Sequence, residues 1–233
     1  MKLTTTLFIP VRNEIEGLKI IMPQIQKEWI DEVFILDGAS TDGSAEYLVS
    51  LGYTVTPQIS KGVKGAFWEA FEQVKGDVII PFSPDGNSIP GDIPKLIAKI
   101  EEGYDIVIAS RYLGSMKSQD DDFASSLANK GLTTLINFCF KTSYTDGIGM
   151  YKAFKKKDLY ALGIDKYKNE HSEIMLPARG ARYGLKIIEI PSAEPPRIGP
   201  KGSRAHPGLL GKYKSGVLIL KTILRDALLY WPR

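Results

Sequence analysis

Short apolar runs alternate with helical patterns along the first half of the chain, and this alternation limits the fold more than any other feature. Five runs of strand length, TLFIPV, EVFILDG, YTVTPQI, DVIIPFS and YDIVIASRY, are separated by segments with helical periodicity. Strands that are connected through helices form parallel sheets, and the helices cover both faces of such a sheet. The sequence therefore predicts an α/β fold with a mostly parallel, Rossmann-like sheet and helices on both faces.

The composition suits a folded chain in a reducing compartment. Of the 233 residues, 43% are apolar and 24% are charged, which is sufficient for a buried core. A single cysteine, Cys139, excludes an intramolecular disulfide and a cysteine-based zinc site. No stretch reaches the roughly 20 apolar residues of a spanning helix, and no signal-peptide pattern precedes Arg12. We expect a cytoplasmic protein without a nucleic-acid partner.

Polar side chains follow the predicted strands. They are Arg12, Asn13 and Glu14 after the first, Asp37, Ser40, Thr41 and Asp42 after the second, Ser83, Asp85 and Asn87 after the fourth, and Arg111 after the fifth. In open α/β sheets, ligands bind outside the carboxyl ends of the strands, near the point where the strand order reverses. The sequence therefore predicts a ligand site at one edge of the sheet.

The second half of the chain is less regular. It predicts a helix through SSLANKGLTTLINFCF, a glycine-rich turn TDGIGMYKAF, a helix around HSEIMLPARGARYG, a strand KIIEIPS, a basic loop EPPRIGPKGSR and a final helix. From Pro200 onward the chain has seven basic residues and one acidic residue, which gives this segment a net charge of +6. The net charge of the whole chain is +3. A basic end of this kind indicates contact with phosphate or with anionic lipid.

The final segment has the pattern of a basic amphipathic helix. Its apolar residues at helical spacing are Leu210, Tyr213, Val217, Leu220, Leu224, Ala227, Leu228 and Trp231. Such a helix can lie in a membrane interface, dock on the body of the protein or pair with a second copy. We expect residues 206–233 to provide peripheral membrane contact or a contact in a homo-oligomer.

Six stretches resemble the family-2 glycosyltransferases of the GT-A fold, in particular the dolichyl- or polyprenyl-phosphate mannose and glucose synthases. They are IPVRNE (9–14), ILDGASTDGS (35–44), KGVKGAFWEAFEQVKGDVII (61–80), FSPDGNSIPGDIPKL (82–96), IASRYLGS (108–115) and TDGIGMYKAF (145–154). The resemblance implies a GT-A catalytic domain over residues 1–205, with a donor-binding half (1–115) and an acceptor half (116–205). It also implies an inverting transferase that moves a sugar from a nucleotide-diphospho-sugar to a polyprenyl phosphate at the cytoplasmic face of a membrane.

The resemblance places the donor on the loops after the first, second and fourth strands. The implied donor-binding residues are Pro10, Arg12, Glu14, Asp37, Lys64, Ser83 and Asp85. Related enzymes hold a divalent cation with an aspartate-x-aspartate motif after the fourth strand, where this chain reads Ser83, Pro84, Asp85, Gly86, Asn87. With one carboxylate missing, Asp85 and Asn87 are expected to form a weakened site for Mg²⁺ or Mn²⁺. A plain Pro-Asp-Gly turn accounts for the same residues.

The acceptor phosphate is expected at Arg111 and at the basic loop after the last strand. The implied residues are Arg111, Arg197, Lys201, Ser203 and Arg204, and the implied catalytic residues are Asp85, Arg111 and Glu173. A phosphate acceptor is already ionised near neutral pH and needs no general base. A hydroxyl acceptor, as in surface-polysaccharide or glycan synthesis, needs a carboxylate base such as Glu173. A non-catalytic protein that binds nucleotide-sugars is a further alternative.

Overall fold

The computed structural model describes residues 2–163, 172–199 and 209–229, and one sheet runs through these ranges. Its seven strands are β1 (Thr5–Val11), β2 (Glu32–Asp37), β3 (Val55–Pro57), β4 (Val78–Pro81), β5 (Ile106–Ser110), β6 (Lys152–Lys155) and β7 (Ile187–Pro191). The helices are α1 (Ile15–Ile21), α2 (Ser44–Ser50), α3 (Gly62–Gln73), α4 (Ile93–Glu101), α5 (Phe123–Phe140), α6 (Lys156–Ala161), α7 (Ser172–Arg182) and α8 (Leu209–Leu229).

The strand order in the sheet is β3-β2-β1-β4-β6-β5-β7. All neighbouring pairs are parallel except those of β6, which runs antiparallel between β4 and β5. The chain first moves outward from β1 to β3 and then returns to place β4 on the other side of β1. The strand order therefore reverses between β1 and β4, and their carboxyl ends, Val11 and Pro81, mark the expected binding edge.

Alternate residues of β1 supply both sides of the core. Leu7, Ile9 and Val11 pack in the cluster with α1, α2 and α4, whereas Phe8 packs in the cluster with α3, α6 and α7. This alternation follows from the two-residue period of a strand, and it explains why the buried runs of the sequence are apolar throughout. Because both faces of the sheet are apolar, helices cover both, and the predicted α/β fold is confirmed.

Two local predictions differ from the structure. The helical pattern over residues 15–29 gives α1 only as far as Ile21, followed by short 3₁₀ turns at Met22–Gln24 and Lys27–Trp29. Pro23 lacks a backbone N–H and its ring clashes with the preceding turn, so a continuous helix cannot pass it. The glycine-rich turn predicted over residues 145–154 ends in a strand, β6. This strand has only four residues, two of them lysines, so the sequence does not predict it.

The final helix docks on the body mainly through residues outside the apolar set that its sequence suggests, although Ala227 of that set packs against the same buried cluster. α8 packs against α5 and α7, and it buries Thr222, Ile223 and Asp226. Leu224 and Leu228 of the predicted face are 47% and 81% exposed. The side chains of Leu210 and Trp231 lie outside the described part of the chain, as does the predicted domain boundary at residues 205–206. Within the described ranges, no helix has the length and apolar character needed to cross a membrane.

A buried ion pair ties α8 to α7. The Nε of Arg179 donates to Oδ2 of Asp226 at 2.6 Å, and neither side chain is exposed to solvent. Arg225 also donates to the other carboxylate oxygen of Asp226, at 2.6 Å from Nη2. Removal of the carboxylate would leave the guanidinium of Arg179 charged in an apolar environment, which is costly. This pair therefore fixes where α8 sits on the fold.

We predict that Asp226→Ala lowers the free energy of unfolding by about 3–5 kcal/mol, because it removes one partner of a buried charge pair. Glu102→Ala is the matched control, since Glu102 pairs with Lys99 on the exposed surface; its cost should stay below about 1 kcal/mol. Urea denaturation followed by circular dichroism measures both values. Equal costs for the two variants would contradict a structural role for the Arg179–Asp226 pair.

Candidate functional site

A cavity of about 1540 Å³ opens at the carboxyl ends of β1, β4 and β5 and continues between α5 and α8. Seven of the residues predicted for the site line it: Pro10, Arg12, Lys64, Ser83, Asp85, Asn87 and Arg111. Four others, Glu14, Asp37, Glu173 and Arg197, are not among its lining residues. Lys201, Ser203 and Arg204 lie outside the described residues. The sheet edge predicted from sequence thus carries the largest part of the expected site.

Asp85 and Glu14 share a single arginine. Nη1 of Arg197 donates to Oδ2 of Asp85, and Nη2 of the same guanidinium donates to Oε1 of Glu14. The three side chains are only 6%, 8% and 11% exposed for Arg197, Asp85 and Glu14. The sequence predicts that Arg197 binds the acceptor phosphate. In the structure its guanidinium forms ion pairs with two residues that are predicted to bind the donor.

Backbone hydrogen bonds hold the loop that carries Arg197 against the loop after β4. The N–H of Ile198 donates to the carbonyl of Asp85 at 2.7 Å, and the N–H of Arg197 donates to Oδ1 of Asp120 at 3.3 Å. Gly86 has a φ of +90°, and a Cβ at this position would lie 2.7 Å from Cδ1 of Ile198. A glycine is therefore required here by both the backbone conformation and the close approach of the two loops.

The loop after β4 is a turn that also presents oxygen atoms. The N–H of Asn87 donates to Oδ1 of Asp85 at 3.1 Å, as the Pro-Asp-Gly interpretation predicts. Nδ2 of Asn87 donates to Asp120, whereas Oδ1 of Asn87 is buried without a hydrogen-bond partner. A buried carbonyl oxygen without a donor is unusual, and a cation would satisfy it.

The donor set for a metal ion is small. No group of three or more histidine, cysteine, aspartate or glutamate side chains among residues 2–163, 172–199 and 209–229 is arranged to hold one. Asp85 and the amide oxygen of Asn87 are oxygen ligands of the kind that Mg²⁺ and Mn²⁺ prefer, and phosphate oxygens and water complete such sites. These residues fit a divalent cation, provided that Arg197 releases Oδ2 of Asp85.

Asp37 bonds within its own turn, and Asp42 bonds both within its turn and to the start of α1. The carboxylate of Asp37, at the end of β2, accepts from Oγ of Ser40 at 2.5 Å and from its N–H at 3.1 Å. Asp42 accepts from the N–H groups of Ser44 and Ile15, at 3.0 and 3.1 Å. These bonds place Asp42 at the first residues of α1 and α2, whereas the ligand role predicted for Asp37 stays a prediction.

Arg111 lies in a cluster of carboxylates at the end of β5. Its Nε and Nη2 donate to the two oxygens of Asp146 at 2.6 and 2.9 Å. Its Nη1 is more loosely held, at 3.4 Å from Glu194 and 3.7 Å from Asp121. Burial alone would lower the pKa of the guanidinium, but the hydrogen bond and charge of Asp146 raise it above its ordinary value. Arg111 is therefore a permanent cation that is fixed in orientation.

Glu173 is buried and does not line the cavity. It is 5% exposed, on the first turn of α7, and its carbonyl accepts from Nζ of Lys152 at 3.2 Å. Burial lowers the pKa of Lys152 to about 8, against the opposing effect of the Glu173 charge. The pKa of Lys64 is lowered for the same reason, and Glu173 again opposes the shift. The structure thus places Glu173 next to two lysines, an arrangement that its sequence position does not reveal.

A family model described as glycosyl transferase family 2 matches residues 6–163, more than half of the chain. The chain belongs to glycosyl transferase family 2. The match begins in β1, includes all the loops that line the polar end of the cavity up to β6, and ends before α7. It confirms the family to which the six sequence stretches point.

Two relatives of this family 2 glycosyltransferase carry informative names. Glycosyltransferase AglJ of Haloferax volcanii is 25% identical over 94% of the chain and 70% of its own length. An undecaprenyl-phosphate 4-deoxy-4-formamido-L-arabinose transferase of Pectobacterium carotovorum is 28% identical over 78% of the chain. The chain spans 57% of the length of that second relative, so it covers little more than half of it.

Solved structures confirm the GT-A fold. Glucosyl-3-phosphoglycerate synthase of Mycobacterium tuberculosis, in complex with Mn²⁺, UDP and phosphoglyceric acid, superposes with a TM-score of 0.71 at 17% identity. It covers 97% of this chain, which in turn covers 78% of that structure. Mannosyl-3-phosphoglycerate synthase of Rubrobacter xylanophilus gives a TM-score of 0.67 at 18% identity, over 96% of this chain and 74% of that structure. At this level of identity the likeness extends to the fold.

The lowered pKa of Lys152 predicts a pH-dependent stability. Its pKa falls from the ordinary 10.5 to about 8 on folding, so between these values the unfolded chain binds more protons and the free energy of unfolding rises with pH. Lys152→Met has no titratable group at this position. Between pH 8 and pH 10, the free energy of unfolding of the native protein should rise by about 2 kcal/mol more than that of Lys152→Met. Urea denaturation at both pH values measures this difference. The same pH dependence in both proteins would show that Lys152 keeps its solvation.

Proposed function

We propose that this family 2 glycosyltransferase moves a sugar from a nucleotide-diphospho-sugar to a polyprenyl phosphate. The observation that carries the proposal is a single cavity with a charged end at the sheet edge and an apolar end between α5 and α8. Residues of the apolar end are Leu132, Leu135, Ile148, Val217, Ile219 and Leu220. A polyprenyl phosphate has the same distribution of chemistry, with a dianionic head on a long apolar chain.

The donor belongs at the ends of β1 and β4 in this proposal. Arg12 and Lys64 bring positive charge to the cavity wall there, which offsets the charge of a diphosphate. The solved relatives that contain UDP and Mn²⁺ support a nucleotide donor. Asp85 and Asn87 would hold the divalent cation, which supplies charge neutralisation for the leaving nucleoside diphosphate. Pro10 and Ser83 complete the wall of this end of the cavity.

The acceptor phosphate meets Arg111. Because Nε and Nη2 are held by Asp146 at short distance, the loosely held Nη1 is the group that is available to a phosphate oxygen. The phosphate oxygen attacks the anomeric carbon as the bond to the diphosphate breaks, with inversion at that carbon. No proton is removed in this step, so the chain needs to position two substrates rather than supply a base. The relative named for undecaprenyl phosphate supports this acceptor class.

A hydroxyl acceptor is the second candidate, and one observation favours it. Asp120, Asp121, Asp122 and Glu194 all line the cavity near Arg111, and such carboxylates repel a phosphate. Burial raises the pKa of Glu194, although the charge of Arg111 opposes the shift. A carboxylate with a raised pKa suits general-base catalysis near neutral pH, and Glu194 lines the cavity whereas Glu173 does not. Transfer to sugar acceptors with no transfer to any prenyl phosphate would establish this second function.

The outward face of α8 is proposed to contact the cytoplasmic face of a membrane. Leu224 and Leu228 are exposed there, and Lys221 and Arg225 lie on the same helix. Exposed leucines with flanking cations are typical of helices that lie in the membrane interface. Such contact would bring the apolar end of the cavity close to the lipid that carries the acceptor phosphate.

We predict that Asp85→Asn lowers the rate of sugar transfer by about 10²–10³-fold, because it removes charge from the site of the leaving diphosphate. Product formation from a panel of nucleotide-sugars and a prenyl phosphate measures the effect. Asp42→Asn is the matched control, since Asp42 bonds only within its turn and to Ile15, and it should retain transfer. Full activity of Asp85→Asn would remove Asp85 from the catalytic site.

The apolar end of the cavity predicts a dependence on acceptor chain length. Leu220→Gln places an amide in the apolar end, so it should raise the KM for a long polyprenyl phosphate about tenfold. The KM for a ten-carbon prenyl phosphate should stay unchanged. Leu228→Gln, on the same helix but outside the cavity, should keep both KM values in detergent and weaken binding to anionic vesicles. An equal KM change for both acceptors would contradict the assignment of the apolar end to the lipid chain.

A further inference from the structure

Arg197 is 6% exposed and pairs with Asp85, which lines the polar end of the cavity. Its guanidinium forms one ion pair with Asp85, from the loop after β4, and another with Glu14, from the loop after β1. These two loops follow the strands between which the sheet order reverses. The arginine therefore bridges the two sides of the proposed donor site, 112 residues from Asp85 and 183 residues from Glu14 in sequence.

We propose that Arg197 is a built-in counter-ion of the donor site, which holds Asp85 until a divalent cation displaces it. The inference rests on the donor site of the proposed function. Arg197 and a metal ion compete for the carboxylate of Asp85: the guanidinium lies on Oδ2, Oδ1 accepts from the backbone N–H of Asn87, and the positive charge of Arg197 opposes a second cation on either oxygen. Whichever cation holds Asp85, the carboxylate is never left without a positive partner.

The sequence departure after β4 explains why such a counter-ion is present. Ser83 stands where related enzymes carry an acidic residue, so a metal ion here has one carboxylate and one amide oxygen from the loop. Between rounds of binding, Asp85 and Glu14 would be two adjacent, largely buried carboxylates. Unpaired buried charge is costly, and the planar fork of an arginine can satisfy two carboxylates at once.

The loop is constructed so that the side chain can change partners while the backbone stays in place. Its attachment uses the N–H groups of Ile198 and Arg197 and the contact of Ile198 with Gly86, none of which involves the guanidinium. A guanidinium released from Asp85 lies beside the proposed diphosphate position, where phosphate oxygens can accept from it. Metal ion and diphosphate therefore bind together more readily than the metal ion binds alone.

The test measures the affinity of the ligand-free protein for Mn²⁺. Isothermal calorimetry and the electron paramagnetic resonance signal of unbound Mn²⁺ each give this affinity. Arg197→Gln should raise the Mn²⁺ affinity about tenfold or more, because it removes the competing cation from Asp85. Arg197→Lys keeps the positive charge but loses the fork that spans two carboxylates, so its Mn²⁺ affinity should lie between those of the native protein and Arg197→Gln. Arg12→Gln removes a cation from the same cavity without touching Asp85, and it should also change the affinity by less than about threefold.

Thermal melting gives a readout that does not depend on activity. Without Mn²⁺, Arg197→Gln should melt below the native protein, and Mn²⁺ should raise its Tm more than it raises the native Tm. Equal Mn²⁺ affinities for the native protein and Arg197→Gln overturn the proposal. If Arg197→Gln does not fold, the guanidinium NMR signals of Arg197 in the native protein provide the test. These signals should shift at saturating Mg²⁺, and unchanged signals overturn the proposal. None of these readouts needs sugar transfer, so a failure of the proposed function is recorded separately.

Discussion

Parallel pairing of β1 with β4 places the loops that follow these strands side by side at one edge of the sheet. The contact between the loops after β1 and β4 depends on this pairing. It sets Glu14 next to Asp85, and it creates the crevice that the loop of Arg197 covers. Two carboxylates brought together by backbone hydrogen bonds need a cation, and the fold supplies one from a distant part of the chain.

Sequence reasoning predicted the parts of the site that follow from local pattern. The polar residues after β1, β4 and β5 were predicted because buried strands have a recognisable apolar pattern and parallel strands end at a common edge. Arg197 was predicted to contact the acceptor phosphate, and its pairing with Asp85 was not foreseen, since no spacing rule links Arg197 to a loop 112 residues away. The strand β6 was missed because Lys152 lies where an apolar residue is expected.

Arg197 and Arg111 differ in how their charges are held. Arg197 bridges Asp85 and Glu14, and in our proposal a metal ion replaces it on Asp85. Arg111 is fixed by Asp146, and only its Nη1 has loose contacts. An arginine that is fixed in this way suits the orientation of a substrate, whereas an exchangeable one suits a site that must accept and release highly charged ligands.

The helix α8 forms one wall of the cavity although it lies outside the sheet and outside the segment that the family model matches. It is attached through the pair of Arg179 and Asp226 and a small apolar contact with α5 and α7. Among the described residues, none from the loops after β1 and β4 takes part in this attachment. Under the proposed function, substitutions in α8 would change the wall that meets the acceptor and leave the loops that meet the donor as they are, so that enzymes with one donor chemistry could differ in the molecule that receives the sugar.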